Sequence, residues 1–402
     1  MIGNVAAVSA LTVEEIEAAR AVTPGCAEVV HLNHAGSSLP PQAVLDAQIG
    51  QLRAEAVMGG YEAADAAADR RDAVYDSIGA LIGARPHEIA RSEHATAAWN
   101  AAFWSVPMAP GQHVVVHDHE YGANIVAFLV AAERRGVVID RVPSAPGGGV
   151  DVDAIADRLD RFDVALVSLT HVPTNGGLVN PAAEVGALTR AAGVPYLVDA
   201  CQSVGQLRVD VDEIGCDLLS ATGRKFLRGP RGTGFLYARE SIAERLQPSQ
   251  PDHHGVDLVA GDRFEPRAGA RRFEYWEHSV AGWLGLGAAV DHARSWGIDR
   301  IEATITERAD QLRSMLADIG FTIHDEGERR CGIVTTSTDR VPSTDLQHLL
   351  AEHHVNSAVT PPDSSRWDVE RRHLPVLLRL SVHYTTTVAE LETAVEVLAR
   401  GG

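Results

Sequence analysis

The sequence predicts an α/β chain in which a large domain built on a mostly parallel central sheet precedes a smaller C-terminal α+β domain. Three observations carry that expectation. From residue 29 to residue 238, short apolar runs rich in β-branched residues alternate with helix-length amphipathic segments, the pattern of crossover-connected strands covered by helices on both faces. The alternation then stops at a stretch rich in Pro, Gly and His, 248–272, which reads as a long loop. Beyond it, two long helical patterns lead into mixed strands and helices, the order of a separate α+β unit. The 402 residues suit two or three domains. The expected division is an N-terminal segment 1–27, a large domain 28–265, a linker and connecting helix 266–296, and a small domain 297–402.

The strands are expected in order at VVHLN (29–33), EIARSE (88–93), HVVVHD (113–118), VVIDRV (137–142), VALVSLT (164–170), PYLVDAC (195–201), DLLSAT (217–222) and TGFLYA (233–238). Each is short, apolar and bounded by turn residues. Helices are expected between them at 41–57, 63–82, 96–105, 122–135, 151–160 and 181–192. After a short helical stretch at 238–247 and the loop, helices follow at 280–296 and 300–320. Strands at 321–325 and 331–338, a helix at 344–355, a strand at 377–383 and a last helix at 387–400 complete the chain. In such a sheet, ligands bind at the carboxyl ends of the strands.

Composition excludes several functions. Thirty-five basic against 54 acidic residues give a formal charge of −19, so the chain has no electrostatic reason to seek nucleic acid or anionic lipid. No apolar run approaches the roughly 18 residues of a membrane span, and the start MIGNVAAVSALTVEE has no basic n-region or cleavage site. A cytoplasmic protein is expected. Its four cysteines, at 26, 201, 216 and 331, form no CxxC and no dense framework, which fits a reducing compartment.

One compositional fact points to chemistry: Lys225 is the single lysine, beside 34 arginines. Arginine serves wherever a solvated positive charge suffices, but only an amine can lose its proton and attack a carbonyl as a Schiff-base nucleophile. Lys225 falls in SATGRKFLRGPRGTGFLYA (220–238), a polar turn beyond an expected strand. GxxxxGK[ST] is absent there, so it is not a phosphate-cradling Walker lysine. Twenty-six residues earlier, PYLVDAC places Asp199 at a strand end, where an apolar run would bury a carboxylate unless a cation meets it. Pyridoxal phosphate needs a lysine for its aldehyde, an acid for its ring nitrogen and donors for its phosphate, and this pair supplies the first two. His117 with His119 and His253 with His254 are the metal-ligand candidates. Two pairs without HExxH or a Cys/His cluster do not make a metal site, and none is expected.

Taken together, HLNHAGSSLPP (31–41), SEHATAAWN (92–100), HEYGANIV (119–126), THVPTNGGLVNP (170–181), VDACQSVGQ (198–206), GRKFLRGPRGTG (223–234) and LRLSVHYTTTVAEL (378–391) resemble the class V aminotransferase family. That family includes cysteine desulfurases, selenocysteine lyase and isopenicillin N epimerase-like proteins. Within it, GGYEAA (59–64), EYGAN (120–124) and RGPRG (228–232) are most similar to hercynylcysteine sulfoxide lyases. The resemblance implies the type I fold of pyridoxal-phosphate-dependent transferases, a homodimer, and an amino-acid substrate. It implies Lys225 as the Schiff-base lysine and the base that moves the α-proton, with Asp199 on the ring nitrogen. Ala95, Thr96, Thr222 and Arg224 are implied around the phosphate, Asn175 and Gln202 at the ring oxygen, and Tyr121 where relatives stack a histidine on the ring. For the substrate it implies Arg379 on the α-carboxylate, with His34 and Tyr61 lining the pocket.

Departures from the family narrow the activity. Desulfurases take up sulfur on a mobile-loop cysteine, but the corresponding stretch here, 355–374, has none. Cys201, between Asp199 and Gln202, reads as a small buried residue rather than a nucleophile. Arg224 replaces the histidine that often precedes the lysine, and WEHS (276–279) departs from the pattern through which a partner subunit reaches the phosphate. The expected activity is a lyase cleaving the Cβ–S bond of an S-substituted cysteine or its sulfoxide to give pyruvate and ammonia. An aminotransferase or epimerase using the same residues stays open, as does a protein that keeps the fold for binding alone.

Overall fold

The computed structural model describes residues 8–401; of the expected N-terminal segment, residues 1–7 lie outside them. Fifteen strands follow in chain order: β1 (Val30–His31), β2 (Ile89–Ser92), β3 (His113–His117), β4 (Val138–Val142), β5 (Val164–Thr170), β6 (Tyr196–Asp199), β7 (Leu218–Thr222), β8 (Gly234–Ala238), β9 (Val256–Ala260), β10 (Arg263–Pro266), β11 (Thr322–Ile323), β12 (Ile333–Ser337), β13 (Val355–Asn356), β14 (Ala358–Val359) and β15 (Leu378–Ser381). Seven form the main sheet, ordered β2-β8-β7-β6-β5-β3-β4. The run from β7 to β4 is parallel throughout, and β8 alone runs against its neighbours. Every residue of β5, β6, β7 and β8 is buried. Continuous burial suits their mostly apolar sequences, because a sheet with helices on both faces leaves its central strands no solvent side. The fold is therefore the α/β arrangement expected.

The covering helices begin and end on local signals. Helix Val152–Arg161 starts where Asp151 accepts a hydrogen bond from the Ala154 amide, and helix Gly122–Arg135 stops at Gly136 in the left-handed conformation, which glycine adopts without the penalty of a Cβ. Helix Gln42–Met58 meets helix Gly60–Ala66 at Gly59, whose φ of 99° allows the sharp break. The helix expected over 63–82 is divided at Ala67 into Gly60–Ala66 and Ala68–Ile82.

A second sheet, β11-β12-β15-β14, is antiparallel. It packs on helices Ile298–Asp318, Ser343–Glu352 and Val388–Gly401 to form a separate core with Leu312, Leu346, Leu380 and Leu398. Two local expectations change. The VVHLN segment does not enter the main sheet: β1 pairs in parallel with β13, and Asn33 bridges Ser381. Its Leu32, together with Leu11 and Ile16, packs in the C-terminal core. A strand of two residues is too short to hold a place in the seven-stranded sheet, and its apolar side chains find their partners at the other end of the chain. The stretch 248–272 is not a plain loop either, since β9 and β10 form an antiparallel hairpin in it. That hairpin is exposed on both faces, with Leu258 and Phe264 at the surface, so burial imposes no alternation that a sequence pattern would reveal.

Candidate active site

Three parallel strands end together around one cavity. Thr170 closes β5, Asp199 closes β6 and Thr222 closes β7, and all three line a cavity of about 330 Å³ with Lys225. It lies at the carboxyl ends of the strands, as such sheets dictate.

At one end stands helix Ala95–Ser105. His94 caps it, its Nδ1 accepting from the Ala97 amide at 3.0 Å. Its first residues, Ala95 and Thr96, line the cavity, as do Arg231 and Gly232. A helix start in a cavity that also holds arginines suits a phosphate. The hydroxyl of Thr222 donates to the Thr233 carbonyl at 3.2 Å. The Arg224 guanidinium lines the cavity but donates to the Gly36 carbonyl.

Asp199 occupies the middle of the wall. Its Oδ1 accepts from the Cys201 amide at 2.9 Å and its Oδ2 from the Asn124 side chain at 3.1 Å. Burial raises its pKa, and the Cys201 amide, Asn124 and Lys225 oppose that rise. Lys225 is buried as well, and burial lowers the pKa of its amine; Arg224 and Arg379 add to the effect while Cys201 and Asp199 counter it. An amine so placed gives up its proton more readily than a solvated lysine. Tyr121, the residue before helix Gly122–Arg135, lines the cavity with its side chain partly exposed and free of any capping bond.

Next to this wall, Gln202 donates to the Ala35 carbonyl and to Thr174 Oγ1, both at 3.3 Å, while its Oε1 has no partner. Asn175 is 2% exposed with neither amide atom hydrogen-bonded. Buried polar atoms without partners are rare and expensive. Arg379, on β15, reaches across from the second sheet to the Thr174 carbonyl at 3.0 Å and its hydroxyl at 3.1 Å, while its Nε stays unpaired. Burial lowers the pKa of this guanidinium to about 10, and Arg224 adds to the effect.

These leftover donors and acceptors fit pyridoxal phosphate: a carboxylate and an amine on one wall, a helix start for the phosphate, and orphaned amide groups for the ring oxygen. Of the residues singled out in the sequence, Lys225, Asp199, Tyr121, Ala95, Thr96, Gln202, Thr222 and Arg224 line the cavity, and Asn175 and Arg379 adjoin Thr174 on its wall. Two are not brought to it. Tyr61 is 73% exposed on helix Gly60–Ala66, because that helix presents it to the surface. His34 is buried within a histidine cluster, its Nδ1 2.9 Å from Ser38 Oγ and its ring 4.6 Å and 4.8 Å from those of His31 and His383.

Sequence reasoning missed Asn124, Thr174 and Arg231, which also line the cavity. Asn124 stands in the EYGAN motif, four residues after Glu120, a helical spacing that places the two side chains together. The histidine candidates resolve differently. His119 lies near Glu326 and Asp368, but Arg371 Nη2 sits among them at 3.4, 3.0 and 2.6 Å respectively. A guanidinium takes the place a cation would hold. This ion cluster fastens helix Arg366–Arg372 beside the site, where Gly122 is needed because a Cβ there would meet the Asp363 carbonyl at 2.2 Å.

Comparison with known proteins identifies the family of the chain. Residues 30–393 match the family described as aminotransferase class-V. A probable cysteine desulfurase of Methanothermobacter thermautotrophicus is 27% identical over 379 residues, covering 92% of this chain and 94% of that one. A probable hercynylcysteine sulfoxide lyase of Mycobacterium tuberculosis is 30% identical over 385 residues, covering 94% and 91%. Among solved structures, a cysteine desulfurase from Thermococcus onnurineus superposes with a TM-score of 0.90 at 20% identity, covering 98% of this chain and 99% of that one. A cystine C–S lyase solved with its product cysteine persulfide gives 0.84 at 22% identity, covering 94% and 99%. The chain belongs to the aminotransferase class-V family of pyridoxal-phosphate-dependent enzymes.

Proposed function

We propose that this enzyme is a carbon–sulfur lyase that cleaves the Cβ–S bond of an S-substituted cysteine or cysteine sulfoxide, in the manner of a hercynylcysteine sulfoxide lyase. The observation that carries the reading is an intact Lys225 and Asp199 pair in a chain with no cysteine in 355–374. The relatives named desulfurases support cleavage of a C–S bond, and the missing cysteine removes a thiol on that segment as sulfur acceptor, so the sulfur leaves with its substituent.

Pyridoxal phosphate, when bound, supplies an electron sink for the substrate's α-carbon. The chain does the rest. Lys225 holds the cofactor and, with a pKa lowered by burial, takes the α-proton as a general base. Asp199 keeps the ring nitrogen charged, and Tyr121 stacks on the ring face. Thr96, with the start of its helix and Arg231, binds the phosphate. Arg379 clamps the α-carboxylate, a task for a planar guanidinium. The Cβ–S bond breaks, the sulfur departs as thiol or sulfenic acid, and water completes conversion of the remainder to pyruvate and ammonia. We further read the enzyme as a cytoplasmic homodimer. Ile49 and Leu52, three residues apart on helix Gln42–Met58, offer exposed apolar side chains for a second copy. Among the described residues no helix is long and apolar enough to cross a membrane.

The test is to incubate the cofactor-loaded enzyme with an S-substituted cysteine sulfoxide and with free cysteine, assaying pyruvate and sulfide. Pyruvate from the sulfoxide, with little sulfide from cysteine, supports the reading. Conversion of the cofactor to its amine form without pyruvate makes the enzyme an aminotransferase, and racemised substrate without pyruvate makes it an epimerase.

A further inference from the structure

Behind the Asp199 wall lies a second buried carboxyl that none of these roles uses. Glu120 is 1% exposed. Its Oε2 accepts from Thr170 Oγ1 at 2.9 Å and from Asn124 Nδ2 at 3.1 Å, while its Oε1 has no partner. The same Asn124 nitrogen donates to Asp199 Oδ2 at 3.1 Å. A side-chain amide nitrogen carries two protons, so one goes to each carboxyl and both are engaged. The two acceptors also decide which end of the amide faces them, since its oxygen would be repelled by both. With the Cys201 amide on Oδ1, both oxygens of Asp199 are anchored from behind, and their remaining lone pairs are left for the cavity.

A fully buried acid with an orphaned oxygen is a costly way to orient one asparagine. Thr170 alone already supplies a polar group at the strand end, and an apolar residue at position 120 would fill the space without desolvating a charge. What only an acid provides is negative potential behind Asp199. We propose that Glu120 is a positioning residue that, through Asn124, holds the Asp199 carboxylate in the orientation required by the ring nitrogen of the cofactor and adds its own charge to the negative potential on that side of the cavity. The inference rests on the pyridoxal-phosphate reading of the site and adds a residue to it.

The titratable groups that face Glu120 are Asp199 and Tyr196, both on β6. Burial raises the pKa of the Tyr196 phenol well above its usual value, so Asp199 is the charge that matters. Burial raises the pKa of Glu120 to about 7; the bonds from Asn124 and Thr170 oppose this, and the Asp199 charge reinforces it. The second carboxyl therefore changes charge in the neutral range, where it alters the field at Asp199.

The test compares cofactor-loaded wild type with Glu120→Gln and Asn124→Ala, reading the visible band of the lysine-bound cofactor against pH together with kcat and KM. Glutamine keeps an oxygen for Asn124 and Thr170 but removes the charge. The proposal expects it to load one cofactor per chain, to move the apparent pKa of the band by about one to two units, and to lower kcat about ten- to a hundredfold with far less change in KM. Asn124→Ala, which cuts the link, should reproduce the spectral shift. Variants that load cofactor and keep both the wild-type band titration and the wild-type kcat overturn the proposal. So does a normal titration in Asn124→Ala if Glu120→Gln fails to fold, because the link would then carry nothing. A wild-type protein that shows no visible band with added cofactor overturns the cofactor reading itself, a result distinct from either.

Discussion

Arg379 of β15 ties the second sheet to Thr174, in the loop that follows β5 at the cavity wall: Nη1 of the arginine donates to both the carbonyl and the hydroxyl of the threonine, at 3.0 and 3.1 Å. One edge of the guanidinium is thereby fixed by the protein, and the unpaired Nε is left on the other for an incoming carboxylate. In the proposed function, the sheet carrying β15 thus contributes the substrate anchor, and the sheet carrying β6 contributes the acid for the cofactor.

Arg379→Ala is accordingly expected to raise KM for an α-amino acid substrate by about 2–5 kcal/mol, the cost of truncating one partner of a buried charge pair, while the visible band of the bound cofactor stays intact. Steady-state kinetics with a spectrum of the same sample check this. An unchanged KM would place the carboxylate elsewhere.

Asp199→Asn keeps the shape and one of the two anchoring contacts, since its single oxygen can accept from either the Cys201 amide or Asn124 but not both, and it removes the charge proposed to face the ring nitrogen. The expected loss is about 10²–10³-fold in kcat, the scale of one preorganised electrostatic contact, with cofactor still bound. Single-turnover rates on samples of matched cofactor content read it.

Cys201 shares the cavity wall with Lys225. Burial raises the pKa of its thiol, and the nearby positive charge of Lys225 only partly offsets that. A neutral thiol is a poor nucleophile. Cys201→Ser is therefore expected to retain lyase activity, and mass spectrometry of the wild type after turnover should find no persulfide on any cysteine. A persulfide at Cys201, or loss of activity in the serine variant, would make the enzyme a desulfurase with a relocated acceptor.

The raised pKa of Glu120 has a consequence for stability in the apoprotein. An acid whose folded-state pKa lies above its unfolded value favours folding while protonated, so its contribution is complete below pH 4.5 and is lost as pH rises through about 7. The full span corresponds to about 3 kcal/mol. Urea denaturation of apoprotein at pH 5 and pH 8 should show the wild type losing stability over this range relative to Glu120→Gln. A difference between the two proteins that does not change with pH would contradict the assignment.

Much of this was legible in the sequence, because the features that build the sheet are local. The apolar runs of β5, β6 and β7 end in Thr170, Asp199 and Thr222, and a parallel sheet brings such ends together whatever the helices between them do. The lone lysine could be singled out by chemistry before any fold was known. What stayed hidden depends on distant partners. Thr174 matters through Arg379, which lies 205 residues away, and no local pattern announces that pairing. Leu32 looked like a strand residue of the large sheet, yet its burial comes from the C-terminal core. Tyr61 and His34 belong to motifs, and a motif fixes neighbours along the chain without fixing which side of a helix faces the cavity, as at Tyr61, or what a turn residue packs against, as at His34 in its histidine cluster.

Lys225 is the proposed carrier of the cofactor, and as the one lysine of the chain it can be tested directly. Borohydride reduction of the cofactor-loaded enzyme, followed by digestion and mass spectrometry, fixes any Schiff base as a stable adduct on its amine. With a single lysine in the sequence, one pyridoxyl phosphate per chain is expected, on the peptide containing Lys225, and none in Lys225→Ala. An adduct only at the N-terminal amine, or no adduct while the visible band is bleached, would contradict it.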